Sequence, residues 1–327
     1  MATTNKTGAI GPVPFMNDGS AALGVPLAGL TGDDPKLWVR FYQGTWVLAT
    51  FVPAIASIQQ SFRPRGGDVV IASIPKSGTT WLKALAFATM ARGVYPPDTA
   101  AEHPLLRLNP HQCVTNLERL YSAGQESMIE ALPSPRLLST HMHHSILPSS
   151  ISKNPDCKIV YICREPKDMV VSLWHFCRRG KPDVSFSDLF EAVCQGTSVS
   201  GPFWDHVHGY WNASKANPEA VLFLRYEDML RDPAGNVRKL ARFVGQPFSP
   251  AEEEAGVVAQ IVRLCSLDNL KNLEVNKPSS ASQPFANDWF FRKGEAGDWV
   301  NHMTPDMARR LDAIVEEKLS GSGLSFA

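Results

Sequence analysis

The sequence predicts an α/β fold, in which a single domain contains a central parallel β-sheet flanked by helices. Strand-like apolar runs recur along the chain and are separated by longer segments with helical periodicity, an order typical of parallel βαβ units. Most of these runs are apolar on consecutive residues, as expected for strands that helices cover on both faces. With 327 residues, of which 44% are apolar, the chain is long enough to bury one large core. We assign residues 31–327 to this domain and residues 1–30 to a flexible leader.

The individual elements follow from local signals. Strands are predicted where β-branched and apolar residues cluster, at residues 68–74, 136–141, 157–164 and 220–228. Helices are predicted where a capping or first-turn residue precedes apolar residues at helical spacing. These helices begin near Thr79, Pro166, Asp232 and Thr304 and end near residues 93, 180, 245 and 319. The polar segment at 281–303 lacks periodicity, so we expect a functional or mobile loop there.

Composition excludes several classes of function. Lysine plus arginine equal aspartate plus glutamate, 32 against 32, so no overall field attracts nucleic acid or a membrane surface. The six cysteines form no CxxC pair, which is typical of reduced thiols in a large intracellular protein. The longest apolar stretch, residues 46–58, is too short to span a bilayer and contains Pro53. We therefore expect a cytoplasmic protein that binds neither nucleic acid nor membrane.

The segment IPKSGTTW, at 74–81, joins the first predicted strand to the first predicted helix. Free N–H groups and the positive end of the helix dipole favour a phosphate-like anion at such a junction. Gly78 permits close approach of the backbone and Lys76 adds a positive charge. Three neighbouring residues add hydroxyl donors: Ser77, Thr79 and Thr80. An anion site is thus predicted, with an ordinary capped turn as the alternative.

This junction is similar to a P-loop but does not fit its pattern. A P-loop has lysine after its second glycine, whereas Lys76 precedes the only glycine here. Nucleotide triphosphate chemistry also uses a carboxylate at a strand end to hold Mg²⁺, and the strand at 157–164 ends in Arg164 instead. We expect the protein's own cations to neutralise the anion, without a metal. An ATP-dependent, kinase-like transferase is consequently disfavoured.

Arg164 opens a second cluster, REPKDMVVSLWHF, at 164–176. Asp168 and Ser172 are four residues apart on its predicted helix and share one face. A hydroxyl and a guanidinium at this position predict a site for a second phosphate. The alternatives are a surface ion pair for Arg164 and a hydroxyl bonded to its own helix for Ser172.

With both clusters in view, the chain resembles the soluble sulfotransferases that use 3′-phosphoadenosine 5′-phosphosulfate (PAPS), most closely the plant branch. The resemblance runs from residue 42 to the last predicted helix. The blocks that carry it are YQGTW, PKSGTTWLKAL, YICREPKDMVVSLWHF, GPFWDHVHGYW, FLRYEDML, LCSLDNLKNLEVNK and FRKGEAGDW. It implies that the domain at 31–327 transfers a sulfuryl group from PAPS to a hydroxyl of a small molecule, using a P-loop-like strand–loop–helix for the phosphosulfate.

The same resemblance implies which residues hold PAPS. Lys76, Ser77, Gly78, Thr79 and Thr80 would hold the 5′-phosphosulfate. The adenine would contact Trp81, Tyr226, Cys265, Ser266 and Leu267. The 3′-phosphate would be bound by Arg164, Ser172, Arg292, Lys293 and Gly294. Two of these roles also follow from residue chemistry, because Trp81 offers an aromatic face and the RKG sequence supplies cations.

His141 is the histidine at the end of a predicted strand, where the ligand crevice of a parallel sheet opens. An imidazole, with an ordinary pKa of about 6.5, is suited to remove the proton of an alcohol. The resemblance also gives this position to the catalytic base, with Lys76 stabilising the oxygen that leaves during in-line displacement. The alternative for His141 is a solvated loop residue.

The chain departs from the family pattern at several positions. His143 replaces the usual proline and would share a strand face with His141. Two histidines on one face are a possible metal site. No cysteine or carboxylate lies nearby in sequence, so we expect no metal. Ser139 stands where animal members have lysine, and Leu267 replaces the usual phenylalanine beside the adenine. The dimer motif of animal members is not present at 300–309, so a monomer or weak dimer is expected.

The acceptor pocket is expected to be apolar and aromatic, which suits a flavonoid, steroid, hormone or phenol. Its predicted wall consists of Tyr42, Trp46, His143, Phe203 and His206. A non-catalytic protein that binds the desulfated nucleotide, 3′-phosphoadenosine 5′-phosphate (PAP), is the alternative function. The loop at 281–303 is expected to close over the nucleotide and to order when it binds.

Overall fold

The computed structural model describes residues 38–98, 103–277 and 286–326. Its strands are β1 (Val39–Tyr42), β2 (Thr45–Leu48), β3 (Val69–Ser73), β4 (Leu137–Thr140), β5 (Lys158–Cys163) and β6 (Val221–Arg225). β3 to β6 form a sheet in the order β4-β3-β5-β6, and every neighbouring pair is parallel. β1 and β2 form a separate antiparallel hairpin. The predicted fold class is therefore confirmed, while the expected leader lies outside the described residues.

The central strands are continuous apolar runs because both of their faces are covered. Val70 and Ala72 of β3 belong to the core on one side of the sheet. Val69 and Ile71 belong to the core on the other side. Since successive side chains of a strand point to opposite faces, an unbroken apolar sequence is what two helical layers require.

The helices cover both faces of this sheet. They are α1 (Phe51–Ser61), α2 (Thr79–Ala91), α3 (Pro110–Cys113), α4 (Leu117–Ser122), α5 (Glu126–Ala131), α6 (Ser149–Ser152), α7 (Pro166–Gly180), α8 (Phe186–Cys194), α9 (Phe203–Ala216), α10 (Tyr226–Arg231), α11 (Pro233–Phe243), α12 (Pro250–Glu254), α13 (Val257–Leu264), α14 (Leu267–Asn272) and α15 (Pro305–Leu319). The predicted helices correspond to α2, α7, α11 and α15. The segment 286–303, predicted to be a loop, contains the short 3₁₀ turns Asn287–Phe290 and Asp298–Asn301.

The six cysteines are free, as expected for reduced thiols. Within the described ranges, no helix combines the length and the apolar character that a membrane crossing needs.

The carboxyl ends of the parallel strands meet at one edge of the sheet, and a cavity opens there. β3 leads through a short loop into α2, β5 leads into α7, and β4 ends just before His141. The β1–β2 hairpin is fixed at the rim of this edge by two backbone hydrogen bonds. Trp46 donates to the carbonyl of Gly201, and Ser200 donates to the carbonyl of Trp46, both at 2.8 Å. The topology thus gathers residues distant in sequence around one cavity.

Candidate active site

The cavity at the carboxyl ends of the strands has a volume of about 490 Å³. Six basic side chains line it: Lys76, Lys83, Arg119, Arg164, Arg292 and Lys293. In the part of the chain that the structure describes, its lining includes no aspartate or glutamate. The overall charge of the chain is zero, so this local excess of positive charge marks a site for an anion.

The loop between β3 and α2 brings its backbone into this cavity. Gly78 precedes the helix with a φ of 97°, in the left-handed region that favours glycine. A Cβ atom there would lie 2.5 Å from the ring of Tyr226 and 3.1 Å from Ile162, so a side chain would displace the loop. The first N–H groups of α2 have no partner within their own helix, which is the usual basis of an anion site. Ser77 is buried and does not line the cavity.

Lys76 is half-buried in the same loop, with its Nζ 4.3 Å from the centre of the Phe176 ring. Burial lowers the pKa of Lys76 to about 7, and the charges of Arg164 and Arg292 add to this effect, whereas Cys177 opposes it. A negatively charged ligand would reverse the shift, because it favours the protonated amine. The lysine is therefore placed to gain charge when an anion arrives.

Arg164 lies at the end of β5 and is fixed from two sides. One Nη donates to the carbonyl of Glu295 at 2.7 Å, and the guanidinium carbon lies 4.7 Å from the centre of the Tyr226 ring. Its buried Nε has no hydrogen-bond partner among the described residues. Ser172 lines the same cavity from α7. An unused buried donor next to a hydroxyl fits the predicted phosphate site.

A segment that we call the strap, residues 291–299, carries two further cations into the cavity. Arg292 and Lys293 both form ion pairs with Asp298, the latter at 2.5 Å. Burial acts to raise the pKa of Asp298, but the hydrogen bonds from Lys293 and Arg292 outweigh it and hold that pKa below its usual range. The strap thus carries its own negative partner for the cations that it presents.

Asp168 of α7 anchors the strap. Its carboxylate accepts hydrogen bonds from the backbone N–H groups of Gly297 at 2.6 Å and Trp299 at 3.0 Å. Asp168 and Ser172 share a helix face, as the sequence predicts, but they have different tasks. The former holds the strap and the latter faces the cavity.

Trp81 and Tyr226 form an aromatic slot at another part of the cavity. Their rings meet edge to face, with centres 5.8 Å apart. The indole N–H of Trp81 is buried and lacks a hydrogen-bond partner in the described ranges. A Cβ atom on Gly294 would lie 2.5 Å from Leu267, so the strap approaches this slot closely. The remaining predicted adenine contacts also line the cavity: Cys265, Ser266 and Leu267.

His141 lines the cavity immediately after β4. Its Nδ1 lies 2.7 Å from the carbonyl oxygen of Ser73, so Nδ1 carries the proton and Nε2 keeps its lone pair. Burial lowers the pKa of His141 to about 4; the Ser73 carbonyl opposes this, and the charge of Lys83 adds to it. The imidazole is therefore neutral at pH 7 and has one nitrogen ready to accept a proton.

Buried groups hold His141 in place through its backbone. Glu118 accepts hydrogen bonds from the N–H of His141 at 2.6 Å and from the hydroxyl of Thr140 at 2.9 Å. The ring nitrogen Nε2 of His206 lies 3.2 Å from the carbonyl of His141 and donates to it. The end of β4 is therefore fixed on both sides.

The structure corrects the predicted acceptor wall. None of its five residues is among those that the structure describes as lining the cavity: Tyr42, Trp46, His143, Phe203 and His206. His143 is buried, donates to the carbonyl of Ser200 at 3.0 Å and packs against His206 with ring centres 4.5 Å apart. Phe203 and His206 are likewise buried. His206 supports the residue after β4, because it donates to the carbonyl of His141. The helix α9, which carries Phe203 and His206, packs mainly against β6.

A different set of residues lines the cavity near His141. It consists of Trp38, Leu48, Thr50, Phe51, Asn116, Arg119, Gln125 and Val199. A smaller void of about 40 Å³ adjoins the same place and shares Leu48, Phe51, His141 and Val199. The hairpin, the start of α1, the region of α4 and the segment before α9 therefore form this wall. Half of its residues are apolar, and the others supply one hydroxyl, two amides and one cation.

His141 and His143, the pair that the sequence offers as a possible metal site, lie in different hydrogen-bond environments. β4 ends at Thr140, so strand alternation does not extend to the two histidines. Their ring nitrogens bond to different carbonyls, those of Ser73 and Ser200. Across the described ranges, no group of three or more histidine, cysteine or acidic side chains is arranged to hold a metal ion.

Sequence reasoning missed several polar residues of the cavity, among them His111 and Lys83. His111 lies with Nε2 2.9 Å from the hydroxyl of Thr80 and Nδ1 3.1 Å from Nζ of Lys83. A signal was present, because Lys83 is the lone charged residue of the apolar segment TTWLKALAFATMA. No comparable signal marks His111, which reaches the cavity from the short helix α3.

Comparisons with known proteins identify the family. The model of the sulfotransferase domain family matches residues 66–323. Cytosolic sulfotransferase 8 of Arabidopsis thaliana is 46% identical over 290 residues, covering 87% of this chain and 86% of that protein. The crystal structure of a candidate steroid sulphotransferase from Arabidopsis thaliana has a TM-score of 0.71 at 37% identity, with 88% of this chain and 89% of that chain covered.

One similar structure contains a bound nucleotide. Mouse sulfotransferase SULT7A1 complexed with PAP has a TM-score of 0.66 at 26% identity, with 87% of this chain and 95% of that chain covered. The family match spans most of the sequence, and the relatives that it agrees with are named cytosolic sulfotransferases. The chain therefore belongs to the sulfotransferase family and is a PAPS-dependent sulfotransferase.

Proposed function

We propose that this enzyme transfers the sulfuryl group of PAPS to a hydroxyl of a small aromatic or lipophilic acceptor, with His141 as the general base. The observation that carries the proposal is the 2.7 Å hydrogen bond from Nδ1 of His141 to the Ser73 carbonyl, which leaves Nε2 as the basic nitrogen at the cavity. A flavonoid, a steroid, a hormone or a phenol fits a wall that offers both apolar surface, from Trp38, Leu48, Phe51 and Val199, and polar groups for further hydroxyls. The steroid named for one similar structure supports that class.

The donor is assigned to the positively charged part of the cavity. We assign the 5′-phosphosulfate to the loop of Lys76, Ser77, Gly78, Thr79 and Thr80. Ser77 belongs to this loop but is buried and does not line the cavity in the described structure. The adenine is assigned to Trp81, Tyr226, Cys265, Ser266 and Leu267, and the 3′-phosphate to Arg164, Ser172, Arg292, Lys293 and Gly294. The unpaired donors of Trp81 and Arg164 support this fit, because PAPS offers acceptors to both.

The roles in the reaction follow from the residues. PAPS supplies the sulfuryl group, whose bond to the 5′-phosphate oxygen breaks as the acceptor oxygen bonds to sulfur. Nε2 of His141 takes the acceptor's proton, and the Ser73 carbonyl stabilises the imidazolium that results. Nζ of Lys76 neutralises the charge on the departing phosphate oxygen. Lysine and arginine side chains supply the positive charge, so we assign no metal.

Two further assignments rest on related proteins and on sequence. The name of the similar cytosolic sulfotransferase supports a cytosolic location. A monomer or weak dimer stays a prediction, since the animal dimer motif is not present.

Transfer of radiolabelled sulfate from PAPS to a panel of flavonoids, steroids and phenols tests the proposal. We expect at least one class to be labelled by the wild type, and about a hundredfold less label with His141→Ala. A wild type that binds PAP but labels no acceptor would instead favour the non-catalytic alternative. Equal labelling by the variant would remove His141 from the role of base.

A further inference from the structure

A partly buried polar chain connects α2 to α3 next to the phosphate loop. It consists of Thr80, His111 and Lys83, and we call it the Thr80–His111–Lys83 chain. The hydroxyl of Thr80 lies 2.9 Å from Nε2 of His111, and Nζ of Lys83 lies 3.1 Å from Nδ1. All three residues line the cavity. None of them belongs to the roles assigned above except Thr80.

The direction of these hydrogen bonds follows from their donors. Nζ of Lys83 also donates to the carbonyl of Val114 at 2.9 Å, and in the protonated form, which an anion in the cavity favours, the amine has donors only. Nδ1 of His111 therefore accepts, and Nε2 carries the ring proton and donates to Thr80. Because the oxygen of Thr80 already accepts this bond, its own proton is available to a ligand in the cavity.

The chain is held rigidly. The His111 ring stacks on Phe290, with centres 4.1 Å apart and planes 29° apart. The backbone N–H of His111 donates to the side chain of Asn109 at 2.9 Å, within a capping box that fixes α3. His111 thus cannot turn away from Thr80 without losing contacts on both sides.

Lys83 is 1% exposed, which is unusual for a lysine. In the described structure its hydrogen-bond partners are a carbonyl and an imidazole, neither of which is negatively charged. Burial lowers the pKa of Lys83 to about 7, as does the charge of Arg119, while Glu118 opposes this. A buried amine of this kind beside a cationic cavity gains stability when an anion binds close by.

We propose that Lys83 and His111 are positioning residues, which act through Thr80 by aiming its hydroxyl as a donor at the 5′-phosphate of the nucleotide. The inference rests on the assignment of that phosphate to the loop at 76–80. It extends that assignment to two residues outside the loop.

Calorimetry with PAP tests the inference without knowledge of the acceptor. His111→Phe keeps a ring against Phe290 but removes the hydrogen bond to Thr80. Loss of one charge-assisted bond to phosphate is expected to weaken PAP binding by about tenfold. Adenosine 3′-monophosphate has no 5′-phosphate, so its affinity should change by less than about twofold. A general structural defect would weaken both ligands equally, and this result would overturn the inference.

A double-mutant cycle shows whether His111 acts through Thr80. Thr80→Val removes the hydroxyl and keeps the shape, and in that background His111→Phe should cost less than about twofold in PAP affinity. Thr80→Ser keeps the hydroxyl and should retain the full sensitivity to His111→Phe. If His111→Phe weakened PAP binding as strongly in the Thr80→Val background as in the wild type, the proposed action of His111 through Thr80 would be overturned.

Lys83→Met provides an independent variant if His111→Phe fails to fold. We expect it to weaken PAP by about tenfold and to leave adenosine 3′-monophosphate within about twofold. Failure of the wild type to bind PAP would overturn the donor assignment itself. Wild-type PAP binding with no selective effect of either variant would overturn only this inference.

Discussion

The cavity has two parts that the chain builds in different ways. The donor part is formed mainly by short segments, at 75–81, 164–172, 265–267 and 291–294, together with Tyr226. The acceptor part is formed by residues from separate elements, at 38, 48–51, 116–125 and 199. Anion binding needs backbone N–H groups and cations at a strand–loop–helix junction, which adjacent residues can supply. The shape of an apolar wall instead depends on how distant elements pack.

His141 lies where the two parts meet, and its replacement should have the largest effect. His141→Ala is expected to lower kcat by at least about a hundredfold, because general-base assistance is lost. PAP affinity should stay within about twofold, because the donor residues keep their positions. Turnover of the best acceptor from the panel, together with calorimetry, measures both.

His143→Gln is the matched control for His141→Ala. Glutamine can still donate to the Ser200 carbonyl, and the cavity lining in the described structure does not include residue 143. We expect its kcat to remain within about threefold of the wild type, as for a substitution that keeps a buried hydrogen bond. A larger loss for His143→Gln than for His141→Ala would exchange the roles of the two histidines.

The two parts also differ in how far the sequence predicts them. The strands and the helices α2, α7, α11 and α15 are predictable because each has an apolar run or several turns of periodicity. The hairpin and short helices such as α3 and α4 have too few residues for a period. Lys76, Gly78, Arg164 and the strap cations lie where local motifs place them.

The acceptor wall shows why local patterns do not suffice. Phe203 and His206 follow a family block, and aromatic composition alone assigns them to the pocket. In the structure both are buried in the first turn of α9, which packs mainly against β6 and does not line the cavity in the described structure. His111 escapes prediction for a related reason, since only the packing of α3 against α2 brings it to Thr80.

A substitution at Gly78 tests whether PAP binding depends on the close packing of the donor part. Gly78→Ala places a Cβ 2.5 Å from Tyr226 at a left-handed backbone position. Such strain costs about 1 to 3 kcal/mol, so we expect PAP affinity to fall by roughly tenfold or more. Gly93→Ala is the control, because its Cβ would meet nothing within 4 Å. Equal PAP affinity for both variants would show that the loop does not depend on this approach.

The charge of Lys76 gives the donor part a pH dependence of its own. With its pKa lowered to about 7, Lys76 is protonated below that pH and neutral above it. We therefore expect kcat/KM for PAPS to fall by up to about tenfold per pH unit above that value, because this parameter reports the free enzyme. Lys76→Arg, which stays charged, should flatten the alkaline limb. If Lys83→Met flattens it instead, the titrating group is Lys83, whose pKa is also about 7.

The smallest expected effect distinguishes the acceptor wall seen in the structure from the wall predicted from sequence. Leu48 lines the cavity beside His141, whereas Tyr42, on the neighbouring strand of the hairpin, directs its hydroxyl at Gln59, 3.5 Å away. Leu48→Ala should raise the KM of an apolar acceptor by about threefold to tenfold, since each lost methylene contact costs about 1 kcal/mol. PAP affinity should be unaffected in the same variant.

Tyr42→Phe removes only the hydroxyl and should leave both the KM of the acceptor and the affinity for PAP unchanged. Steady-state kinetics with one acceptor, at saturating PAPS, compares the two variants directly. The reverse outcome, a changed acceptor KM for Tyr42→Phe and none for Leu48→Ala, would restore the wall predicted from sequence. The acceptor would then lie on the outer side of the hairpin, and His141 would need another substrate path.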